Sequence, residues 1–165
     1  MGDIMSENRK EIEPYEYMNF FMTRAAHVVS MHKDGKLNVM ALLWKTIGEL
    51  WMLPVITIAV SPARYTFELL TEGIPEFTIN IPSKQNADTI NITGSSSGRS
   101  TDKFKKAGLE LIEGKRTKVP TIKDSILSYE CKIVHTCKSG TMASHSLFFG
   151  QILKAYASHD IEHDM

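Results

Sequence analysis

Apolar residues recur along this chain mostly at every second position or in short unbroken runs, and only in a few places at helical spacing. Residues 25–32 predict a strand. Residues 37–44 predict its returning partner, because Lys33-Asp34-Gly35-Lys36 carries the Asp-Gly pair that supplies the positive φ angles of a type I′ turn. A loop containing Gly48 leads to residues 54–60, which are β-branched and almost wholly apolar, the pattern of a strand buried on both faces. Ser61 then suits a helix N-cap and Pro62 the first helical position. Phe67 and Leu70 follow at helical spacing beside Leu69, with Glu68 and Glu72 left for solvent. Gly73-Ile74-Pro75 stops that helix, and residues 76–81 alternate as the next strand.

Beyond Pro82, Ser83 predicts the cap of a polar helix through about Ile92, and residues 94–99 form a small-residue loop. Thr101 is expected to cap a short helix over 102–107 that ends at Gly108. Residues 115–124 read as a charged connection interrupted by Pro120. Two long strands, 128–138 and 145–156, close the pattern around a loop at 139–144. Residues 1–20 are expected to be a mobile lead-in that becomes ordered near Pro14 and Tyr15, and residues 158–165 a flexible tail. Six strand runs with a few short helices predict a mostly β, antiparallel barrel in a single domain over 1–165. Only the link from 60 to 77 reads as a strand–helix–strand crossover.

Composition narrows the possibilities. The chain has 165 residues, 42% of them hydrophobic and 23% charged, the balance of a globular domain able to bury a core. Lysine plus arginine, 19, equals aspartate plus glutamate, 19, so no general field draws in nucleic acid or anionic lipid, and any anion site is local. No apolar run approaches the roughly 20 residues that span a bilayer, and the polar start lacks a signal-peptide pattern. Cys131 and Cys137 stand too far apart along one strand run to bridge, and read as reduced core thiols of a cytoplasmic protein.

Two stretches carry candidate chemistry. At 61–66 the first N–H groups of the expected helix converge with Arg64 and the hydroxyls of Ser61 and Thr66, a combination suited to an anion. The loop from Gly94 to Lys103 adds small residues whose N–H groups can turn inward, with Gly98 among them, and the charges of Arg99 and Lys103. Its glycine spacing and its arginine do not fit a phosphate loop of the Walker type. The same loop contains Gly-x-Ser-x-Gly centred on Ser96, followed in order by Asp124 and His145. A serine-hydrolase elbow, however, requires a buried strand feeding directly into a helix, and residues 87–93 are polar. His159 and His163 in the tail are spaced to catch a divalent ion, although a solvated tail is the simpler reading. No pair of carboxylates stands out as acid–base machinery.

Taken in order, Asp34 to Met40 (Asp-Gly-Lys-x-Asn-Val-Met), Trp44, Arg64-Tyr65-Thr66, Phe77 to Pro82, Ser97 to Phe104, Glu130 to Lys132 and Leu147 to Gly150 form a series. In this series the chain resembles the flavin reductase-like proteins of the FMN-binding split-barrel type, close to the flavoredoxin branch, over about residues 20–157. The resemblance implies a six-stranded antiparallel split barrel with flanking helices, and a homodimer with FMN near the subunit interface. It implies that Arg64, Tyr65, Thr66, Ser97, Arg99 and Lys103 hold the phosphate and ribityl ends of FMN. Ser61 and Gly98 belong to the same two anion-binding stretches. Asn38, Met40, Trp44, Thr46 and Asn80 would border the isoalloxazine or the ribityl chain. Two departures mark this sequence: Ala41-Leu42-Leu43 stands where relatives often have a hydroxyl residue, and the loop before His145 is longer than usual.

FMN would supply the electron chemistry, which agrees with the missing catalytic base. The implied activity is hydride transfer from NADH or NADPH to flavin, with electrons passed to a small-molecule or protein acceptor. The alternative is a flavoredoxin-type electron carrier without NAD(P)H activity of its own. No Gly-x-Gly-x-x-Gly fingerprint is present, so a nicotinamide would dock only transiently.

Overall fold

The computed structural model describes residues 8–165. The alternating segments become β1 (Arg9–Glu11), β2 (Ala26–Met31), β3 (Leu37–Leu42), β4 (Lys45–Leu50), β5 (Leu53–Val60), β6 (Glu76–Pro82), β9 (Ser125–Lys138) and β10 (Ser146–Ser158). The short pair β7 (Leu111–Ile112) and β8 (Thr121–Ile122) stands apart. All ladders are antiparallel, in the order β3-β2-β6-β9-β10-β5-β4. One edge of β10 is shared: β5 pairs with its first half, from Ser146↔Val60 to Gln151↔Val55, and β1 with its end, from Glu11↔Tyr156 to Arg9↔Ser158. The mostly β, split-barrel class is as expected; the strand count exceeds the six anticipated.

The barrel encloses Val28, Ile56, Ile58, Phe77, Ile79, Leu127, Tyr129 and Phe148, all buried, with Phe21 from α1 (Met18–Thr23) closing one end. Each such side chain contributes roughly 1.5–3 kcal/mol on burial. A smaller cluster of Val29, Val39, Val119 and Ile122 lies on the other face of β2 and β3. Glu130, on β9, is fully buried. Its carboxylate accepts from Arg116 N–H (2.8 Å), Thr117 N–H (3.0 Å), Thr117 Oγ1 (3.0 Å) and the Tyr156 hydroxyl. Burial alone raises its pKa, but these four donors together outweigh that and hold it below the ordinary carboxylate value.

Several expectations are corrected. The hairpin at 32–36 is a three-residue loop, not type I′: only Gly35 (φ +93) has positive φ, and Asp34 Oδ1 accepts from Lys36 N–H at 2.8 Å. The segment around Gly48 is a strand, β4, joined to β5 through Trp51 (φ 54) and Met52 (φ 61), a left-handed pair formed without glycine or asparagine. In β5 Ile56, Ile58 and Val60 are buried while Thr57 and Ala59 are half-buried, so the strand is not covered equally on both faces. The helix after it, α2 (Tyr65–Glu72), starts at Tyr65 with Arg64 as N-cap; Ser61 and Pro62 lie in the preceding turn. That helix links β5 to β6, which are separated in the sheet by β10 and β9 and run antiparallel to each other, so 60–77 is no parallel crossover. The polar helix divides into a 3-10 turn at Lys84–Asn86 and α3 (Thr89–Gly94), and neither Ser83 nor Asp88 makes a side-chain cap. The following helix, α4 (Lys103–Ala107), is capped by Asp102, which accepts from Lys105 N–H, and not by Thr101.

Residues 8–20 and the C-terminal tail are more ordered than the sequence suggests. Residues 1–7 of the expected lead-in lie outside the described residues, but 9–11 form β1 and Ile12 N–H donates to Ala155 O at 3.0 Å. The tail forms α5 (Ile161–Asp164). Ile161 is 1% exposed in the main core, and Arg24 Nη2 donates to Asp164 O at 2.7 Å. Cys131 is buried, whereas Cys137 is exposed, so only the first is a core thiol. Among the described residues no helix is long and apolar enough to cross a membrane.

Candidate functional site

Three elements meet over the β3 side of the barrel. β5 ends in a turn in which Ser61 O accepts from Arg64 N–H (3.0 Å) and Ser61 Oγ from Ala63 N–H (3.3 Å). This turn delivers Arg64 in an extended conformation to the start of α2, where no side chain caps the first N–H groups. From the other side, α3 runs into the loop at 94–98, which crosses β3 so closely that a Cβ on Gly98 would lie 1.9 Å from Asn38 Oδ1. A side chain there would have to displace the Asn38 amide. Asn38 in turn donates from Nδ2 to Thr66 Oγ1 at 3.0 Å, tying β3 to α2. Between them lies a cavity of about 360 Å³.

Its charges are unbalanced. Lys103 is 5% exposed and donates from Nζ to Thr93 O at 3.0 Å. Burial, and then the nearby Arg64 guanidinium, push its pKa down to about 8. No carboxylate lines the cavity, and among the described residues Arg64 makes no ion pair. Ser96 Oγ is buried against the cavity without a hydrogen-bond partner. Two cations held together, uncapped helical N–H groups and an orphaned hydroxyl form an arrangement that a bound anion relieves. Behind Lys103, His27 is 1% exposed. Burial, with Lys103 contributing, lowers its pKa to about 4, so the imidazole is neutral at pH 7.

Past Met40, Ala41 and Arg64 the cavity adjoins a second cleft of about 370 Å³, walled by Trp44, Val60, Ser61 and His145. The rings of Trp44 and His145 meet edge-on, 4.8 Å between centroids, and His145 Nδ1 is buried with no partner. Trp44 is 62% exposed and Leu43 71%. A flat ring fits such an aromatic cleft, while the orphaned nitrogen is available to a polar atom.

The structure brings Asn38, Met40, Arg64, Tyr65, Thr66, Ser97, Gly98 and Lys103 around the first cavity, and Trp44 and Ser61 around the second. Three expected residues stand elsewhere. Arg99 turns outward to Glu68 Oε2 (3.1 Å) and Ala63 O (3.4 Å), with its guanidinium over the Tyr65 ring. Thr46 is exposed on β4 and lines neither cavity. Asn80 is fully buried, donating to Thr78 Oγ1 (3.0 Å) and accepting from Ile122 N–H (2.9 Å), so it anchors β8 and cannot border a ligand. Sequence reasoning missed Thr93, Ser96 and His145 as lining residues. Ser96 and His145 were singled out by number only in the hydrolase pattern, although Ser96 lies in the expected anion-binding loop and His145 follows the lengthened one. The hydrolase pattern fails, because Ser96 follows a helix and Asp124 lines a different cavity. No elbow exists here.

A profile for the flavin reductase-like domain matches residues 18–165. An uncharacterized protein of Pyrococcus abyssi is 34% identical over 137 residues, covering 83% of this chain and 75% of the relative. The flavoredoxin of Desulfovibrio vulgaris (Miyazaki F) superposes with a TM-score of 0.73 at 26% identity, covering 83% of this chain and 70% of that one. An FMN-binding domain of a flavin reductases-like enzyme from Shewanella baltica shares the fold, with a TM-score of 0.76 at 21% identity over 92% of this chain and 78% of its own. With antiparallel split-barrel architecture, matched profile and matched structures in agreement, this chain belongs to the flavin reductase-like family.

Proposed function

We propose that the chain binds FMN and acts as an oxidoreductase that takes electrons from NADH or NADPH and passes them to an acceptor. The observation that carries this reading is the adjacency of an unbalanced cationic cavity to an aromatic cleft, one suited to a phosphate and the other to a planar ring. Lys103, Arg64 and the first N–H groups of α2 would hold the phosphate. Asn38, Thr66 and the 96–98 loop would meet the ribityl hydroxyls, where Ser96 Oγ gains the partner it lacks. Met40, Trp44 and His145 would flank the ring. Bound flavin supplies reversible two-electron redox chemistry. The protein's part is to grip the phosphate, exclude water from one side of the cleft and leave Trp44 and its neighbours open to a donor.

Similarity to a flavoredoxin favours a second reading, an FMN electron carrier with no NAD(P)H activity of its own. Anaerobic mixing of the flavin-loaded protein with NADH and with NADPH separates the two. Bleaching of the flavin absorbance on a catalytic timescale supports the reductase, persistence supports the carrier, and a protein that retains no FMN refutes both. We further propose a homodimer with the cleft near its interface, because Leu43 and Trp44 at the cleft rim leave large apolar surface open. Sedimentation as a monomer at micromolar concentration with flavin bound would overturn that.

A further inference from the structure

The buried imidazole behind the anion cavity has no role in the reading above. His27, on β2, uses both ring nitrogens on α3: Nε2 lies 3.0 Å from Thr89 Oγ1 and Nδ1 3.2 Å from Thr93 Oγ1. Thr89 Oγ1 already donates to Asn86 O at 2.6 Å, so its lone pair receives the Nε2 proton. Thr93 Oγ1 lies 3.2 Å from both Nδ1 and the Ile90 carbonyl, so its one proton is shared between the ring and the helix backbone. Thr93 is the pivot of the cavity: its hydroxyl is held by His27, its carbonyl accepts from Lys103 Nζ at 3.0 Å, and the loop at 94–98 starts at the next residue. An unbroken path of hydrogen bonds therefore runs from β2 through His27 and Thr93 to the one buried cation of the site.

We propose that His27 is a positioning residue for anion binding: by fixing the last turn of α3, it aims the Thr93 carbonyl that holds Lys103 toward the phosphate of a bound flavin nucleotide. This rests on the FMN reading above. A neutral ring suits the task, because it donates to one threonine and accepts from the other, and a charged one would also repel the ammonium it serves.

The test measures FMN and riboflavin dissociation constants for His27→Gln, His27→Phe and Thr93→Val, alone and combined with Lys103→Met. Melting temperatures identify the folded variants. The expected result is that His27→Phe and Thr93→Val weaken FMN about fivefold or more while riboflavin changes less than about twofold, and His27→Gln, which keeps a donor and an acceptor, recovers part. In the Lys103→Met background the same changes add nothing further for FMN, because the group they act through is gone. Additive effects, or equal losses for both flavins, would overturn the proposal. If His27→Phe fails to fold, Thr93→Val and His27→Gln carry the same comparison. Failure of the wild type to bind FMN at all would refute the flavin reading instead, so the two outcomes are distinct.

Discussion

Lys103→Met tests the anion cavity most directly. Burial and the Arg64 guanidinium hold the Lys103 ammonium at about 8 where its ordinary value is 10.5, which corresponds to about 3 kcal/mol disfavouring the charged form. A phosphate dianion set against the ammonium offsets that penalty, and riboflavin, which lacks the phosphate, cannot. A charge-assisted hydrogen bond contributes roughly 1.5–3 kcal/mol, so Lys103→Met is expected to weaken FMN about ten- to a hundredfold at neutral pH and riboflavin hardly at all. The pH dependence gives a second signature. The anion raises the lysine pKa in the complex above its value of about 8 in the free protein. Affinity is then fully present below that value and is lost as pH rises through it, by about tenfold one unit above. For folding the sign reverses. The folded value lies below the unfolded one, so this lysine's penalty applies below about 8 and lifts as pH rises from there to 10.5. Titration of flavin fluorescence against protein across that pH range, for wild type and variant, reads the binding part, and urea unfolding over the same range reads the folding part. Equal losses for FMN and riboflavin, or a wild-type affinity that stays flat through pH 8, would refute the reasoning.

Arg64→Ala is expected to weaken FMN by a similar ten- to hundredfold, with Arg64→Lys recovering only part because an ammonium cannot make paired contacts. It also removes the lesser of the two causes that depress Lys103, burial being the larger, so the alkaline loss of affinity moves part of the way to higher pH; an unmoved inflection would separate the two residues. Glu130→Gln leaves at least one of four buried donors unsatisfied and is expected to cost roughly 2–4 kcal/mol in urea unfolding at neutral pH. Because the folded Glu130 pKa is depressed, its contribution is present above the unfolded carboxylate value and fades as pH falls through the folded one; the variant loses this part of the acid sensitivity. Deleting residues 159–165 removes the buried Ile161 and the Asp164 partner of Arg24. It is expected to lower the melting temperature by several degrees, on the order of 2–4 °C per kcal/mol for a chain of this size; an unchanged melt would mean that α5 adds nothing to the fold.

What the sequence showed depended on how local the cause was. The strands at 25–32 and 54–60 and the helix after them announce themselves by period alone, and the same runs place Arg64 and Thr66 beside an anion. β4 was hidden because Thr46, Glu49 and Leu50 are exposed on a strand at the end of the sheet order, and because its turn uses Trp51 and Met52 where Gly or Asn is usual. The left-handed pair is held by distant packing, Trp51 against Phe149 at 5.8 Å and His135 at 5.9 Å. Asn80 was misread because its partner, the Ile122 N–H, comes from a segment whose approach no local pattern reveals. Arg99 was chosen for its charge, and Glu68, one turn along α2, claims it. The tail looked featureless because Ile161 is its one buried apolar residue, and the polar partners of Asp164, Arg24 and the Lys84 N–H, come from distant segments.

The shared edge of β10 has a consequence for how the chain comes to be folded. Pairings such as Arg9↔Ser158 and Ile58↔Phe148 join residues far apart in sequence, and such loops are slow to close. During synthesis the β2–β3 and β4–β5 hairpins can zip as they emerge, but β5 and β9 remain without their common neighbour until 146–158 have been made. Until then the apolar face of β5 and the nascent edge of β9 stay open to other chains. Closure of the barrel therefore waits for its last strand. Termination between residues 138 and 146 would leave β3-β2-β6-β9 and β5-β4 as two separate half-sheets, without the strand that joins them or the His145 wall of the aromatic cleft.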